Sequence, residues 1–126
     1  MHGAQTRLAA LLAGLAVALG AFGAHAMADH YDARALQTFE IAVRYQMYHA
    51  LAVGLCAVLG VHGRRTGKAA TCFVLGIALF CGSLYGIVFF EARWLGAVTP
   101  LGGLSFLAGW LLLATGAHKP ADATAT

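Results

Sequence analysis

The chain has 126 residues, of which 60% are hydrophobic and 10% are charged, whereas soluble domains are about 45–50% apolar and about 25% charged. The net charge is +3, and the basic residues occur singly or in one short run between apolar stretches. The sequence therefore has no dense basic patch to bind nucleic acid. These figures exclude a disordered chain, a disulfide scaffold and an ordinary water-soluble enzyme domain, and they indicate one integral membrane domain.

Four uncharged stretches, at residues 8–26, 45–61, 69–90 and 100–117, are each close to the ~20 residues that a helix needs to cross a ~30 Å hydrocarbon core. Because backbone groups in that core must bond to one another, the stretches predict helices. Thr99 and Pro100 suit the cap and first position of the last helix. We therefore expect an all-α membrane protein with four transmembrane helices in an up-down bundle, and a frayed tail at residues 120–126.

The segment 32–44 is not apolar enough to span. Leu36, Phe39 and Val43 fall on one helical face, while Glu40 and Arg44 have the spacing of an ion pair. The pattern predicts a short amphipathic helix at the membrane interface that runs into the second span. A continuous helix from there to Val61 would be about 43 Å long.

The beginning of the chain has two interpretations. Arg7 and the apolar run, followed by Ala24-His25-Ala26 or Ala26-Met27-Ala28, are similar to a signal peptide with its cleavage site. The length of the run, its scattered glycines and the ionisable His25 inside the site favour a retained first span.

Positive charges predict the orientation. In an up-down bundle one side holds Arg7, Arg64, Arg65, Lys68 and Lys119, and the other side holds Arg34, Arg44 and Arg93. Because the first side has five positively charged residues and the other has three, the positive-inside rule predicts that both termini are in the cytoplasm.

Small residues at four-residue spacing predict where the spans pack, because close approach drives helix association in lipid. Candidate stripes and pairs are Ala10-Gly14-Ala18, Ala16-Gly20-Ala24, Gly82-Gly86 and Ser105-Gly109.

Polar residues inside a bilayer are costly, so each is a candidate functional residue. Those in the spans fall in the half of the membrane away from the positively charged turn at residues 62–68: His25, Tyr45, Tyr48, His49, Ser83, Tyr85, Thr99 and Ser105. We expect His25 and His49 to lie in one cluster there, because the first span ends where the second begins.

The favoured interpretation of this cluster is mutual hydrogen bonding. The alternatives are a proton or solute path using the histidines and a haem or metal site held by His25 and His49. The three cysteines are scattered in apolar runs, and the sequence contains no nucleophile–base motif, phosphate loop or dinucleotide fingerprint. We predict no metal, no cofactor and no catalytic residue.

Four ordered motifs carry a family resemblance: Gly20 to His25, Tyr45 to Leu51, Gly82 to Tyr85, and Thr99 to Trp110. With them the chain resembles the YgdD-like small integral membrane proteins, a family of unknown function with mitochondrial-type transmembrane relatives. The resemblance implies four transmembrane helices in a bacterial inner membrane, with the first span retained. Cys81 departs from the serine that commonly precedes Gly-Ser-Leu-Tyr in this family.

The sequence thus favours a non-enzymatic inner-membrane component or partner subunit. The alternative function is a small transporter or channel. The expected partners are the lipid bilayer and either a second copy or another membrane protein, with no nucleic acid.

Overall fold

A computed structural model describes residues 2–118, and these residues are almost entirely helical. Helix α1 (His2–Phe22) continues through a π-helical turn (Gly23–Met27), and α2 covers Ala33–Val61. Helix α3 (Gly67–Gly76) is joined by a second π-helical turn (Ile77–Cys81) to α4 (Gly82–Phe90), and a 3-10 turn (Arg93–Ala97) leads into α5 (Thr99–Thr115). Four of these helical stretches are long and apolar enough to cross a membrane: His2–Met27, Ala33–Val61, Gly67–Phe90 and Arg93–Thr115. The tail predicted at residues 120–126 lies outside the described residues.

The amphipathic segment is helical, as predicted, but it is not a separate element. Asp32 caps it, with the Ala35 N–H donating to Asp32 Oδ1 at 2.8 Å, and the helix then continues unbroken to Val61. Phe39 is buried in contact with Tyr85 and Phe89. The segment therefore prolongs the second span along its neighbours instead of lying across the end of the bundle.

One side of α2 carries buried residues at alternating intervals of three and four positions. Its members are Phe39, Ala42, Gln46, His49, Val53, Cys56 and Gly60, all of them buried. This is the spacing of a helix that packs at a shallow angle along its neighbours. Two polar residues, Gln46 and His49, thus belong to the core seam of the bundle.

Helix α1 packs against α2 through small residues. A side chain added at Gly20 would touch Val43, and one at Gly23 would overlap the Phe39 ring. The predicted stripe Ala16-Gly20-Ala24 is therefore correct for its first two members, whereas Ala24 is exposed. The other predicted stripe, Ala10-Gly14-Ala18, is exposed along its whole length because it lies on the opposite side of α1 from α2.

The α3–α4 span and α5 approach one another at glycines. Gly102 lies against the backbone of Phe80, and Gly109 against the ring of Phe73. Ser105 Oγ donates to the Cys72 carbonyl at 2.8 Å, so the predicted pair Ser105-Gly109 is a packing surface. The pair Gly82-Gly86 is not, because Gly82 faces open space while Gly86 packs on Leu95.

The two ends of the bundle differ. At the turn end, defined by residues 62–66, Arg64 Nη2 donates to the carbonyls of Leu113 at 3.0 Å and Gly116 at 2.7 Å. The side chain of His2 lies close to Gly60, so the start of α1 is at this end as well. The loop end is the opposite one and carries residues 28–32 and 91–98. The described helices therefore alternate in direction, as an up-down bundle requires.

Candidate functional site

The polar centre of the bundle is built around His49. Its Nδ1 lies 2.8 Å from the Tyr45 carbonyl, and the indole Nε1 of Trp110 lies 3.1 Å from its Nε2. Because an indole N–H can only donate, Nε2 accepts and the proton is on Nδ1, which donates to Tyr45. Both ring nitrogens are engaged, and the imidazole is neutral.

Aromatic rings enclose this imidazole. Phe106 of α5 stacks on it with ring centroids 3.5 Å apart and an interplanar angle of 11°, and Phe73 of α3 lies at 5.7 Å. Tyr45 is nearly parallel to His49 at 6.0 Å. The histidine is thus held between α2, α3 and α5 by hydrogen bonds at its edge and by stacking on its faces.

Gln46 forms a second polar contact, and the sequence interpretation missed it. Its Nε2 donates to the Leu12 carbonyl at 2.8 Å, and the Tyr85 hydroxyl donates to its Oε1 at 2.7 Å. One amide therefore joins α1, α2 and α4. The three-and-four spacing from Phe39 to Gly60 was the signal that could have identified Gln46 as buried.

The remaining candidates form separate contacts. Ser83 Oγ and Thr99 Oγ1 are 2.6 Å apart and share a hydrogen bond that ties α4 to α5. Tyr48 is 52% exposed, and within residues 2–118 its one aromatic neighbour is Tyr45, at 5.8 Å. The predicted cluster is therefore divided into four small hydrogen-bonded groups, around His49, Gln46, Ser83 and Ser105, with Tyr48 outside them.

The expectation that His25 joins His49 is wrong. His25 is exposed in the π-helical turn that ends the first span. Two residues before it, Gly23 meets Phe39, which lies ten residues, or about 15 Å, from His49 along α2. Because α2 is continuous and antiparallel to α1, the end of α1 meets the start of α2 and not its middle.

This separation also removes the haem or metal site proposed for the two histidines. A single iron needs both imidazoles within one coordination sphere. Among residues 2–118, no group of three or more His, Cys, Asp or Glu side chains is arranged to hold a metal ion. The other imidazole, His49, already uses both nitrogens within the protein.

These groups can hold the spans together by hydrogen bonds. Each contact pairs a donor on one helix with an acceptor on another or on its own backbone. In a medium without water, such pairs remove the cost of burying polar atoms and fix the helices at one register. Of the residues predicted to bond to one another, Ser83 and Thr99 do so. The side chains of His49, Tyr85 and Ser105 instead bond to Trp110, Gln46 and the Cys72 carbonyl.

Comparison with known proteins identifies relatives across most of the chain. Residues 19–103 match the family described as "Protein of unknown function (DUF423)". The UPF0382 membrane protein YwdK of Bacillus subtilis is 41% identical over 115 residues, covering 89% of this chain and 94% of its own length. UPF0382 membrane protein SH2409 of Staphylococcus haemolyticus is 40% identical over 113 residues, covering 89% and 93%.

A third relative, the UPF0382 inner membrane protein YgdD of Escherichia coli, is 39% identical over 108 residues, covering 82% of this chain and 80% of its own length. No solved structure matches the chain. The resemblance drawn from the four motifs is confirmed, and with it the four-helix membrane architecture. The chain belongs to the DUF423 family of membrane proteins, whose biochemical function is unknown.

Proposed function

We propose that this protein is a non-enzymatic component of the bacterial inner membrane that works by binding another membrane protein. The observation that carries the proposal is that the hydrogen-bonding groups of the polar centre are already bonded within the chain. His49 is the one histidine in the core seam, and both of its nitrogens are bonded within the chain. General acid–base catalysis needs a side chain free to exchange a proton with a substrate.

A transport function has less support from the same geometry. The contact from Tyr85 through Gln46 ends at the Leu12 carbonyl, which already belongs to the backbone of α1. An amide that donates to a helix carbonyl holds two helices together and does not relay protons.

Binding to a partner is favoured by the position of α1. Its chief neighbour is α2, and only 11% of the residues in its apolar stretch are buried, against 44% for α2. The outward side of α1 carries Ala10, Gly14 and Ala18, and a side chain added at Gly14 would meet nothing within 4 Å. Small residues in this arrangement let a second helix approach closely.

The orientation that we propose places both termini in the cytoplasm. Arg7, Arg64, Arg65 and Lys68 lie toward the turn end, and Arg34, Arg44 and Arg93 toward the loop end. Lys119, which belongs with the first group in the sequence count, lies outside the described residues. The relative YgdD is named an inner membrane protein, and the positive-inside rule then directs the turn end to the cytoplasm.

The test compares two glycines that both face open space, Gly14 on α1 and Gly82 on α4. Each is replaced by Leu, and the complexes extracted from membranes in a mild detergent are sized by native gel electrophoresis and native mass spectrometry. We expect Gly14→Leu to reduce the complex to the size of the single chain. Gly82→Leu should leave the complex intact.

Two results would contradict the proposal. One is a wild-type protein that runs as a single chain at every detergent concentration. The other is a complex that both leucine variants preserve, because the α1 surface would then not be its interface.

A further inference from the structure

The connection between α4 and α5 exposes two large aromatic side chains at the loop end. Phe90 is 82% exposed and Trp94 is 73% exposed, the highest values for large hydrophobic residues in the part of the chain that the structure describes. Phe90 ends α4, and Trp94 lies in the 3-10 turn that leads into α5. We call these two residues the aromatic pair.

The backbone of the connection directs Trp94 outward. Glu91 adopts a left-handed conformation with a φ of 52°, which ends α4 and lets the chain turn back. Leu95 then packs on Gly86 of α4, where an added side chain would overlap it. Because Leu95 takes the inward position, its neighbour Trp94 faces away from the bundle.

Charged neighbours place the aromatic pair at the edge of the membrane core. Glu91 and Arg93 lie between the two aromatic residues in the sequence, and both are exposed. The connection joins the third span to the fourth, so the chain reverses direction there. Because an exposed carboxylate and an exposed guanidinium are costly in hydrocarbon, the reversal lies in the polar layer that borders the core.

The side chain of Trp94 suits that layer chemically. An indole has apolar faces and an N–H that can only donate. Within residues 2–118 the indole that donates a hydrogen bond is that of Trp110, to His49, so the Trp94 N–H keeps its donor for a group outside the chain. Lipid oxygen atoms supply acceptors at this depth, and tryptophan is enriched in that layer because one end of its ring is apolar and the other is polar.

We propose that the aromatic pair anchors the α4–α5 connection to the lipid surface, with both rings in the glycerol ester layer of the surrounding phospholipids, where the Trp94 N–H meets oxygen acceptors. The anchor is independent of the proposed binding to another membrane protein, because it lies on the α4–α5 connection and not on the outward side of α1.

The small size of the aromatic pair favours lipid over protein as its partner. An aromatic side chain buries about 150–250 Å², so two of them offer about 300–500 Å². A stable protein interface needs about 800 Å² from each partner. A lipid layer has no such minimum, because the bilayer already surrounds the spans on which the pair is mounted.

The experiment measures the depth of Trp94 in a bilayer. The chain has two tryptophans, so Trp110→Phe leaves Trp94 as the single emitter. The full chain is reconstituted into phosphatidylcholine vesicles with bromine on the acyl chains, either close to the ester group or near the terminal methyl group. We expect the shallow bromine to quench Trp94 fluorescence about twofold more strongly than the deep bromine, and iodide in the water to quench it weakly.

Two further variants move the single emitter. Phe90→Trp, combined with Trp94→Phe and Trp110→Phe, should give the same preference for the shallow bromine. The matched control uses Leu107, which is 66% exposed in the middle of α5. Leu107→Trp in the same background should be quenched more strongly by the deep bromine. Circular dichroism verifies that all the variants keep the helical fold.

Three results would overturn the inference. The first is stronger quenching of Trp94 by the deep bromine, which would place its ring in the hydrocarbon. The second is strong quenching by iodide with little quenching by either lipid, which would place the ring in water. The third is little quenching by any of the three agents, which would assign the aromatic pair to a protein partner or to a second copy of the chain.

Discussion

Gln46 and His49 show what polar residues do in the middle of this membrane span. Each is buried, and each uses its donor and its acceptor on groups of the same chain. An unpaired amide or imidazole in hydrocarbon would cost several kcal/mol. Here the same groups pair α2 with α1, α4 and α5, so their presence is explained by the assembly of the bundle.

The first prediction concerns His49. Replacing it with Leu removes the acceptor of the Trp110 indole N–H, which we expect to lower the free energy of unfolding by about 1–3 kcal/mol. The change His49→Gln should cost less, because a glutamine amide can still accept a hydrogen bond. The measurement is reversible unfolding by SDS in mixed micelles.

Trp110→Phe provides the control for this prediction. In that background the donor is gone, and replacing both partners by apolar groups can be nearly neutral. His49→Leu should therefore cost less there than in the wild type. Equal costs in the two backgrounds would show that the hydrogen bond from Trp110 contributes nothing.

At the scale of elements, the apolar runs were enough to predict the four spans, because length and lack of charge determine which segments can cross a bilayer. They could not predict which side of α1 packs. Both small-residue stripes of α1 satisfy the same spacing rule, and the choice of Gly20 over Gly14 depends on Val43 and Phe39 of another helix.

The candidate site was predicted less completely, for a similar reason. His49, Ser83, Tyr85, Thr99 and Ser105 were identified from their type and position, and each is hydrogen-bonded. Assigning His25 to the same cluster assumed that the second span begins near Tyr45. Because α2 already begins at Ala33, the register between α1 and α2 moves by about three turns.

The second prediction tests the crossing of the α3–α4 span with α5. In Gly102→Ala the new methyl group would overlap the backbone of Phe80, which cannot rotate away as a side chain can. We expect a loss of about 1–3 kcal/mol in the free energy of unfolding, as for other overpacked cores.

Its control is the neighbouring residue. A Cβ at Gly103 would come no closer than 3.9 Å, to Phe80 Cδ2, so Gly103→Ala should be neutral or slightly stabilising. Both changes gain the same helix propensity. If SDS unfolding gives the same stability for the two variants, the close approach of α5 to Phe80 is not present in the membrane.

At the scale of the whole molecule, the helices of the bundle are buried to different extents. Helices α2 to α5 enclose the core around Phe73, Cys56 and Phe106, whereas α1 is attached along one side. At the turn end, Arg64 donates hydrogen bonds to the carbonyls of Leu113 and Gly116 and so holds the end of α5 in place. The least buried span is therefore α1, which is the span that the proposed partner would contact.

The third prediction is the orientation. A reporter fused after Thr126 that fluoresces only in the cytoplasm should be active, and alkaline phosphatase at the same position should be inactive. Replacing Arg65 and Lys68 by Gln, both exposed at the turn end, should reduce the bias, because it removes two of the positive charges on that side. An active phosphatase fusion on the wild-type chain would reverse the proposed topology.

The polar centre is occupied by the protein's own groups, and the tautomer of His49 is the property that reports on this occupation. Nitrogen NMR on protein labelled at histidine, with His49→Gln used to assign the signal, distinguishes a protonated from an unprotonated ring nitrogen. We predict that Nδ1 of His49 carries the proton and that Nε2 is an unprotonated acceptor of the Trp110 N–H. A protonated Nε2 would contradict the account, because Trp110 could then not donate to it.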